Sequence, residues 1–272
     1  MARAGRRLGA SAVPEGAARP RGRAGDPAGG AGVIALAIET TTDRLSVAVR
    51  RNGGPAVSRT TEGARRHAAE LFPLIAAALA ELGAGLAEVE TLALADGPGS
   101  FTGLRVGAAA AKALARTRPG LAVWTASTLL VRAAGVAAPH GARVLVVTPA
   151  LRGELYAASY RLDLPRSVET LAPPALTTPE LLGREAPDLL VIDADERTVD
   201  RLADQLAVPL VRGPASRPAA EALLNLVGVP GGAIRVEELD RWEPAYGRPA
   251  EAQARWEAAH GRELPNPSGH SR

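Results

Sequence analysis

The chain contains no cysteine, which excludes disulfides and thiolate-bound metals from its chemistry. Aromatic residues make up only 3% of its 272 residues, so its core has to be built from alanine, valine and leucine. No apolar run is long enough to cross a bilayer, and the N-terminus lacks the apolar stretch of a secretory signal. We therefore expect a protein of a reducing compartment, the cytoplasm, with no membrane segment.

Positive charge is concentrated at the start of the chain. Residues 1–32 carry six arginines against two acids, a net charge of +4, whereas the whole chain carries +3. Residues 33–272 therefore sum to −1 and give no compositional argument for nucleic-acid binding. Residues 1–32 also lack hydrophobic periodicity, so we expect a disordered basic extension there. An unstructured extension or a misassigned start codon is favoured over a tail that contacts RNA.

Hydrophobic periodicity in residues 33–136 predicts a first α/β lobe. The apolar run that opens it is typical of a central strand, and two more strands continue it as an antiparallel meander. Helices and strands then alternate. The elements are expected at 33–38, 45–49, 56–60, 67–82, 91–95, 103–117, 121–124 and 128–136. Pro73 lies inside the first helix and is expected to bend or break it.

A similar but sparser half predicts a second, smaller lobe over residues 137–215. Its elements are expected as strands at 143–147, 154–160, 188–192 and 209–211 and a helix at 199–207. The proline-spotted stretch 162–179 predicts irregular structure. A C-terminal helix near 218–227 and a return segment are expected within 216–248, and a solvated tail, helical around 250–259, over 249–272. Ligand or partner sites of such two-lobe α/β proteins lie at strand carboxyl ends and between lobes.

The most distinctive stretch runs from Asp96 to Arg105 and reads D-G-P-G-S-F-T-G-L-R. Its glycines and proline predict a tight turn between a strand and a helix. Ser100 or Thr102 can cap that helix, whose first N–H groups are free to meet an anion. A hydroxyl-rich turn over 39–43 also ends a strand, and both turns could face one crevice. The candidate nucleotide or anion contacts are Glu39, Thr40, Thr41, Gly99, Ser100 and Thr102.

Small residues at four-residue spacing on the following helix predict close approach by another backbone. Together with the apolar face of the 67–82 helix they could form a dimer patch, although each helix must also cover its own sheet. Under the dimer hypothesis, Gly107→Leu or Leu71→Asp would weaken association and leave a folded chain. The residues assigned to a partner interface or to the turn are His67, Leu71, Ile75, Gly97, Pro98, Gly99, Ser100, Phe101, Thr102, Gly103, Arg105, Gly107 and Ala111.

The 96–105 string closely resembles the signature G-R-G-P-G-S-F-T-G-[VL]-R of the bacterial TsaB (YeaZ) family. The similarity covers about residues 33–250 and is strongest from 33 to 130. Further segments also resemble that family. Residues 34–40 resemble its opening strand and 66–73 the start of its first helix. Residues 123–129 resemble its Val-Ser-Thr-Leu segment, 152–156 its Gly-Glu-Val-Tyr strand and 244–248 its C-terminal Pro-x-Tyr-x-Arg.

The resemblance implies the actin-like (ASKHA, sugar kinase/Hsp70-like) two-lobe fold with mixed sheets flanked by helices. It implies a role in making N6-threonylcarbamoyladenosine at position 37 of ANN-decoding tRNAs, as a non-catalytic partner and activator of the TsaD transferase. A TsaE-type ATPase joins such complexes, tRNA is met through the complex, and TsaC supplies threonylcarbamoyl-adenylate. The resemblance also implies a homodimer through first-lobe helices when the chain is alone. It implies no intrinsic cofactor and leaves open whether ATP or ADP binds at the partner interface.

The sequence departs from the family pattern at two places. Glu39 replaces the usual Asp after the first strand, and Pro149-Ala-Leu151 replaces Asp-Ala-Arg. The second change removes an acid and an arginine from the second lobe and puts any nucleotide or RNA contact there in doubt. Arg105 and Asp96 stay open between a role in the turn and a contact with an anion or the crevice.

The main alternative is an actin-fold phosphotransferase or ATPase that acts alone, with Glu39 and the 96–103 turn around the phosphates. It is disfavoured because no glycine follows Glu39 and no acid-glycine loop follows the first strand of the second lobe. A Ser-His-acid hydrolase is disfavoured further, since Ser100 has no recognisable base. A metal site is not predicted, because only four histidines exist and residue 71, four after His67, is leucine. For His67 a polar helix-start role is favoured over an interface contact.

Overall fold

The apolar run after Val33 forms the central strand of a mixed sheet in this computed structural model, which describes residues 32–63, 66–150, 154–247 and 260–261. Three parts of the predicted organisation lie partly or largely outside these residues: the basic extension over 1–32 except residue 32, the tail over 249–272 except 260–261, and the start of the family match at 152–156. The described residues from Val33 onward belong to one compact unit, and the lobe boundaries drawn from the sequence stay predictions.

Six strands form the first sheet in the described part of the chain, in the order β11-β5-β4-β1-β2-β3. Strands β1 to β3 are the predicted antiparallel meander, and β4 and β5 add in parallel beside β1. Strand β11 returns from the C-terminal segment to pair with β5. The strands are β1 (Ile34–Glu39), β2 (Arg44–Arg51), β3 (Ala56–Glu62), β4 (Val89–Ala95), β5 (Ala122–Ala126) and β11 (Ile234–Arg235).

A second mixed sheet has five strands in the described residues, in the order β10-β9-β6-β7-β8. Strand β6 pairs antiparallel with β7 and parallel with β9, so the sheet repeats the mixed pattern of the first. Its strands are β6 (Ala142–Pro149), β7 (Leu155–Asp163), β8 (Ser167–Thr177), β9 (Leu189–Ile192) and β10 (Leu210–Arg212). The α-helices that lie wholly within the described residues are α1 (His67–Glu81), α2 (Phe101–Thr117), α3 (Thr128–Ala134), α4 (Pro179–Leu182), α5 (Glu196–Leu206) and α6 (Ala220–Leu224).

Alternation along β1 decides which helices cover which face of the first sheet. Its large residues Leu36 and Ile38 pack with α1 and α2, whereas Ala37 packs with α3 and α6 on the other face. Alanine there allows a close approach of α6, and α3 in turn packs on β6 and β7 of the second sheet, which belong to the same buried cluster. A third cluster lies between the second sheet and α5. Among the described residues no helix combines the length and apolarity that crossing a bilayer requires.

One sequence expectation is wrong. The stretch 162–179 is not irregular: it contains the end of β7, the eleven-residue strand β8 and the start of α4. Pro173 and Pro174 are tolerated because β8 lies at the edge of the sheet, where a missing N–H need not face another strand, and its register with β7 shifts near them. Of the bend or break expected at Pro73, the break is absent because α1 continues from His67 to Glu81, and the bend stays a prediction.

Candidate functional site

The glycine turn joins the end of β4 to the start of α2, as the sequence predicts. Residues 96–100 form the connection, and α2 begins at Phe101. The side chain of Ser100 accepts a hydrogen bond from the backbone N–H of Gly103 at 3.2 Å, so Ser100 is the cap and Thr102 lies inside the first turn. Ser100 and Thr102 are exposed, whereas Gly97 and Pro98 are buried under the C-terminal segment.

The turn after β1 is joined to the glycine turn by hydrogen bonds. The backbone N–H of Ser100 donates to the carbonyl oxygen of Thr41 at 2.7 Å. The hydroxyl of Thr40 donates to the carbonyl oxygen of Gly103 at 2.8 Å. A Cβ atom on Gly103 would collide with the carbonyl oxygen of Thr40, and one on Gly107 would lie 2.8 Å from the Thr40 hydroxyl. The close backbone approach expected at these glycines is therefore made by this chain itself.

The proposed dimer patch needs a correction for the same reason. The side chains of Leu71 and Ile75 are 1% exposed, and Ala111 is fully buried against the first sheet. With Gly103 and Gly107 they form the inner side of the helix pair, which no partner can reach while the chain is folded. Gly107→Leu and Leu71→Asp would accordingly damage the fold and cannot serve as clean interface variants. His67 is buried as the first residue of α1 and its Nε2 has no partner among the described residues, so the choice between a helix-start role and an interface contact stays open.

The exposed side of α1 and α2 is the feature that the sequence reasoning missed in part. The chain has two phenylalanines, Phe72 on α1 and Phe101 on α2, and they are 44% and 40% exposed. Both helices cover the same face of the first sheet, so their exposed sides look outward together. We call this surface the outer helix face. It consists of Ala68, Ala69, Phe72, Pro73, Ala76, Ala77, Phe101, Thr102, Arg105, Ala109 and Ala113.

The C-terminal segment covers one end of this face. The backbone N–H of Ala245 donates to the carbonyl oxygen of Asp96 at 2.7 Å. Gly97 has a φ of +116° and its α-carbon lies against the Ala245 carbonyl, so a side chain would be both strained and obstructed there. The ring of Tyr246 lies 4.8 Å from that of Phe101, and the Arg105 guanidinium lies 5.6 Å from the Phe101 ring centre.

Two acids lie at the carboxyl ends of β1 and β4: Glu39 is buried and Asp96 is half-buried. Glu39 is fully buried; its Oε1 accepts the N–H of Thr41 at 2.5 Å, and its Oε2 has no partner within the described ranges. Desolvation raises the pKa of Glu39 to about 7, against the smaller opposing effects of Thr41, Arg132 and Arg44. Desolvation likewise raises the pKa of Asp96 to about 6, opposed by a hydrogen bond with Thr125.

A buried cation, Arg132, interacts electrostatically with Glu39. Arg132 on α3 is 4% exposed, donates to the Ser216 carbonyl at 2.8 Å and pairs with Asp193 at the end of β9 at 3.1 Å. Its burial lowers its pKa, which Asp193 and Glu39 partly restore. The arrangement links the ends of strands from both sheets through one guanidinium.

The candidate nucleotide contacts are brought together but are not all accessible. Glu39, Thr40 and Thr41 are at most 2% exposed, whereas Gly99, Ser100 and Thr102 lie at the surface. Thr40 and Thr41 bond to the glycine turn and Glu39 holds the N–H of Thr41, whereas Glu39 Oε2 and the Thr41 hydroxyl have no hydrogen-bond partner in the part of the chain that the structure describes. Over the ranges that the structure describes, no three His, Asp or Glu side chains lie close enough together to hold a metal ion.

Comparisons with known proteins agree on one family. A sequence model described as TsaD, tRNA N6-adenosine threonylcarbamoyltransferase, matches residues 59–213, more than half of the chain. The tRNA threonylcarbamoyladenosine biosynthesis protein TsaB of Escherichia coli K12 is 29% identical over 218 residues, 78% of this chain and 94% of that protein. The Haemophilus influenzae protein of the same name is 44% identical over 81 residues, 29% of this chain and 34% of that one.

A solved structure extends the agreement to the fold. It is a Pseudomonas aeruginosa protein described as uncharacterized with similarity to peptidase YEAZ. It is 29% identical to this chain, covers 79% of it and all of its own length, and gives a TM-score of 0.65. With two mixed sheets flanked by helices in the chain, this confirms the expected actin-like two-lobe α/β fold.

Proposed function

The chain belongs to the TsaB (YeaZ) family of tRNA threonylcarbamoyladenosine biosynthesis proteins, and we propose that it serves this pathway as a non-catalytic subunit that docks on a TsaD-type transferase and activates it. The observation that carries the proposal is the outer helix face. A chain with two phenylalanines exposes both of them there, among alanines that leave the helix backbones accessible. Exposed apolar patches of this kind mark protein–protein contacts.

The nature of the partner follows from the family relationship. The sequence model that matches this chain is that of the transferase, so the transferase has a related fold and a related helix pair. Two related helix pairs can meet across a pseudo-twofold axis, as two identical ones do in a symmetric dimer. The outer helix face therefore suits a TsaD-type partner and, in its absence, a second copy of this chain.

A supporting rather than catalytic role agrees with the chemistry of the cleft. Glu39, the acid nearest to the position that an actin-like kinase uses, is fully buried and holds the N–H of Thr41. In this proposal the modified base is adenosine 37 of ANN-decoding tRNAs, which are met through the complex. A TsaE-type ATPase joins the complex in the cytoplasm, and ATP or ADP binds at the boundary with the partner.

The test replaces Phe72 with arginine and measures binding to a purified TsaD-type transferase by calorimetry. Truncating a central aromatic side chain of an interface costs roughly 2 kcal/mol or more, and a buried charge adds to that loss. We expect Phe72→Arg to raise the dissociation constant at least about a hundredfold, because each 1.4 kcal/mol is a factor of ten. The matched control is Leu181→Arg, at a leucine that is 56% exposed on α4 outside this face.

Activity measurements complete the test. Threonylcarbamoyladenosine formation on tRNA by the transferase should require the wild-type chain and fail with Phe72→Arg. Equal binding of wild type and Phe72→Arg would show that docking lies elsewhere. Steady ATP turnover by the isolated chain would instead support the alternative of an actin-fold ATPase that acts alone.

A further inference from the structure

The segment Val236–Gly247, which we call the C-terminal strap, runs along α2 from its end to its beginning. Asp240 lies 3.7 Å from Arg116, and Glu243 lies 2.8 Å from Lys112, one turn earlier in the helix. Lys112 is the one lysine of the chain. Val236, Leu239 and Trp242 pack against the buried cluster that contains the inner side of α2. The strap is thus fixed to α2 by both charge and apolar contact.

The far end of the strap meets the glycine turn and the second sheet. Ala245 bonds to Asp96 and lies against Gly97, as described above. Gly247 lies against the hydroxyl of Tyr156 on β7 and against Pro98, leaving no room for a side chain. Its φ of +72° also favours glycine at this position. The backbone is therefore held on both sides of Tyr246, beside the start of α2.

Tyr246 determines how Phe101 is presented. The two rings are tilted by 39° at a centroid distance of 4.8 Å, within the range of favourable aromatic pairs. Arg105 lies over the Phe101 ring from the next turn of α2. Without these neighbours Phe101, at the first position of the helix and 40% exposed, would be free to change rotamer. The exposed aromatic of the outer helix face is thus ordered before any partner arrives.

We propose that Tyr246 is a positioning residue for docking: through its ring contact it holds Phe101 and Arg105 in the orientation that the transferase binds, and the strap extends the outer helix face past α2. This inference rests on the proposed function. Fixing a side chain in advance removes part of the ordering cost of association.

The experiment is a double-mutant cycle measured as the dissociation constant from the transferase. We expect Tyr246→Ala to raise it about tenfold, as for an interface aromatic of moderate weight, and Tyr246→Phe to stay within about twofold because the ring is kept. If Tyr246 acts through Phe101, Tyr246→Ala should add little in a Phe101→Ala background. Leu181→Ala serves as the matched control outside the face, and thermal unfolding checks that each variant is folded.

The outcomes separate the two proposals. An unchanged dissociation constant for Tyr246→Ala, or full additivity with Phe101→Ala, overturns the positioning role and leaves the proposed function intact. Failure of the wild-type chain to bind the transferase overturns both. Should Tyr246→Ala not fold, Lys112→Gln loosens the strap at Asp240 and Glu243 without touching either ring, and it leaves in place the Glu243 carboxylate that accepts from the Tyr246 hydroxyl. We expect it to weaken binding about threefold, by the same loss of ordering, and unaltered binding would overturn the proposal.

Discussion

The inner and outer sides of the α1–α2 pair differ in what covers them, and the comparison separates folding from docking. The inner side is made of aliphatic and small residues that the first sheet covers completely, Leu71 and Gly103 among them. The outer side has alanine in most positions and an exposed phenylalanine on each helix. Close glycine spacing therefore marks contact within the chain, whereas an exposed aromatic marks a surface left for another molecule.

The largest effect is expected from Leu71→Asp, set against Phe72→Asp at the next residue. Leu71 is 1% exposed, so a carboxylate there loses its hydration without gaining a partner, and we expect at least about 4 kcal/mol to be lost from the free energy of unfolding. Phe72→Asp should change that free energy by less than about 1 kcal/mol, because its side chain already meets water. Urea denaturation followed by circular dichroism measures both.

The comparison between the inner and outer sides would fail if Phe72→Asp lowered the free energy of unfolding more than Leu71→Asp does. A stable Leu71→Asp chain would mean that the inner side of α1 can leave the sheet and reach a partner. A strongly destabilised Phe72→Asp chain would mean that the outer helix face contributes to the fold and is not reserved for docking.

The residues of the inner side could largely be predicted from the sequence, because hydrophobic periodicity indicates which side of a helix is buried. Leu71, Ile75 and Leu79 recur on one helix face, and the helix bounds of the first lobe agree with the sequence within a few residues. The glycine turn was recognisable because three glycines and a proline leave few backbone choices. Periodicity identifies the side of a helix that is covered but not what covers it. The sequence therefore predicts a partner contact for the small residues of α2, whereas the chain's own turn after β1 covers them.

Other features had no usable signal, or a misleading one. Phe72 is one of two phenylalanines in the chain and lies outside the apolar face of α1 formed by Leu71, Ile75 and Leu79. This position could have directed attention to it. Strand β8 was missed because Pro173 and Pro174 read as breakers, and only the sheet order shows that they lie at an edge. The strap depends on contacts between Tyr246 and Phe101, 145 positions apart, which no local pattern encodes.

A smaller effect on the free energy of unfolding is expected from the ionisation of Glu39, a buried acid at the end of β1. Its folded pKa of about 7 lies above the ordinary value of 4.5, so between these values the folded chain binds a proton that the unfolded chain does not. The stability from this group is complete below about pH 4.5 and is lost as the pH rises through about 7. We expect the free energy of unfolding to be about 2 kcal/mol higher at pH 5.5 than at pH 8.

Denaturation across that pH range with Glu39→Gln tests the assignment. The amide keeps an oxygen for the Thr41 N–H and cannot ionise, so the larger part of the pH dependence should disappear, with Asp96 contributing the remainder. Glu237→Gln, at an exposed acid on the strap, should leave the dependence as it is. A profile that is unchanged by Glu39→Gln would show that this carboxyl is hydrated in solution.

The smallest effect on the free energy of unfolding is expected at Ser100, the cap of α2, where the inner and outer sides of that helix meet. Its hydroxyl caps Gly103, but the residue is exposed and water can replace the bond, so Ser100→Ala should cost about 1 kcal/mol. Thr102→Ala, in the first turn of α2, should leave the free energy of unfolding unchanged. A loss equal to that of Ser100→Ala would identify Thr102 as the cap. The bond from the Ser100 N–H to Thr41 survives in Ser100→Ala because it belongs to the backbone. If transferase binding nevertheless fell more than stability did, the cap would be acting on its neighbour Phe101, and the turn would belong to the docking surface as much as to the fold.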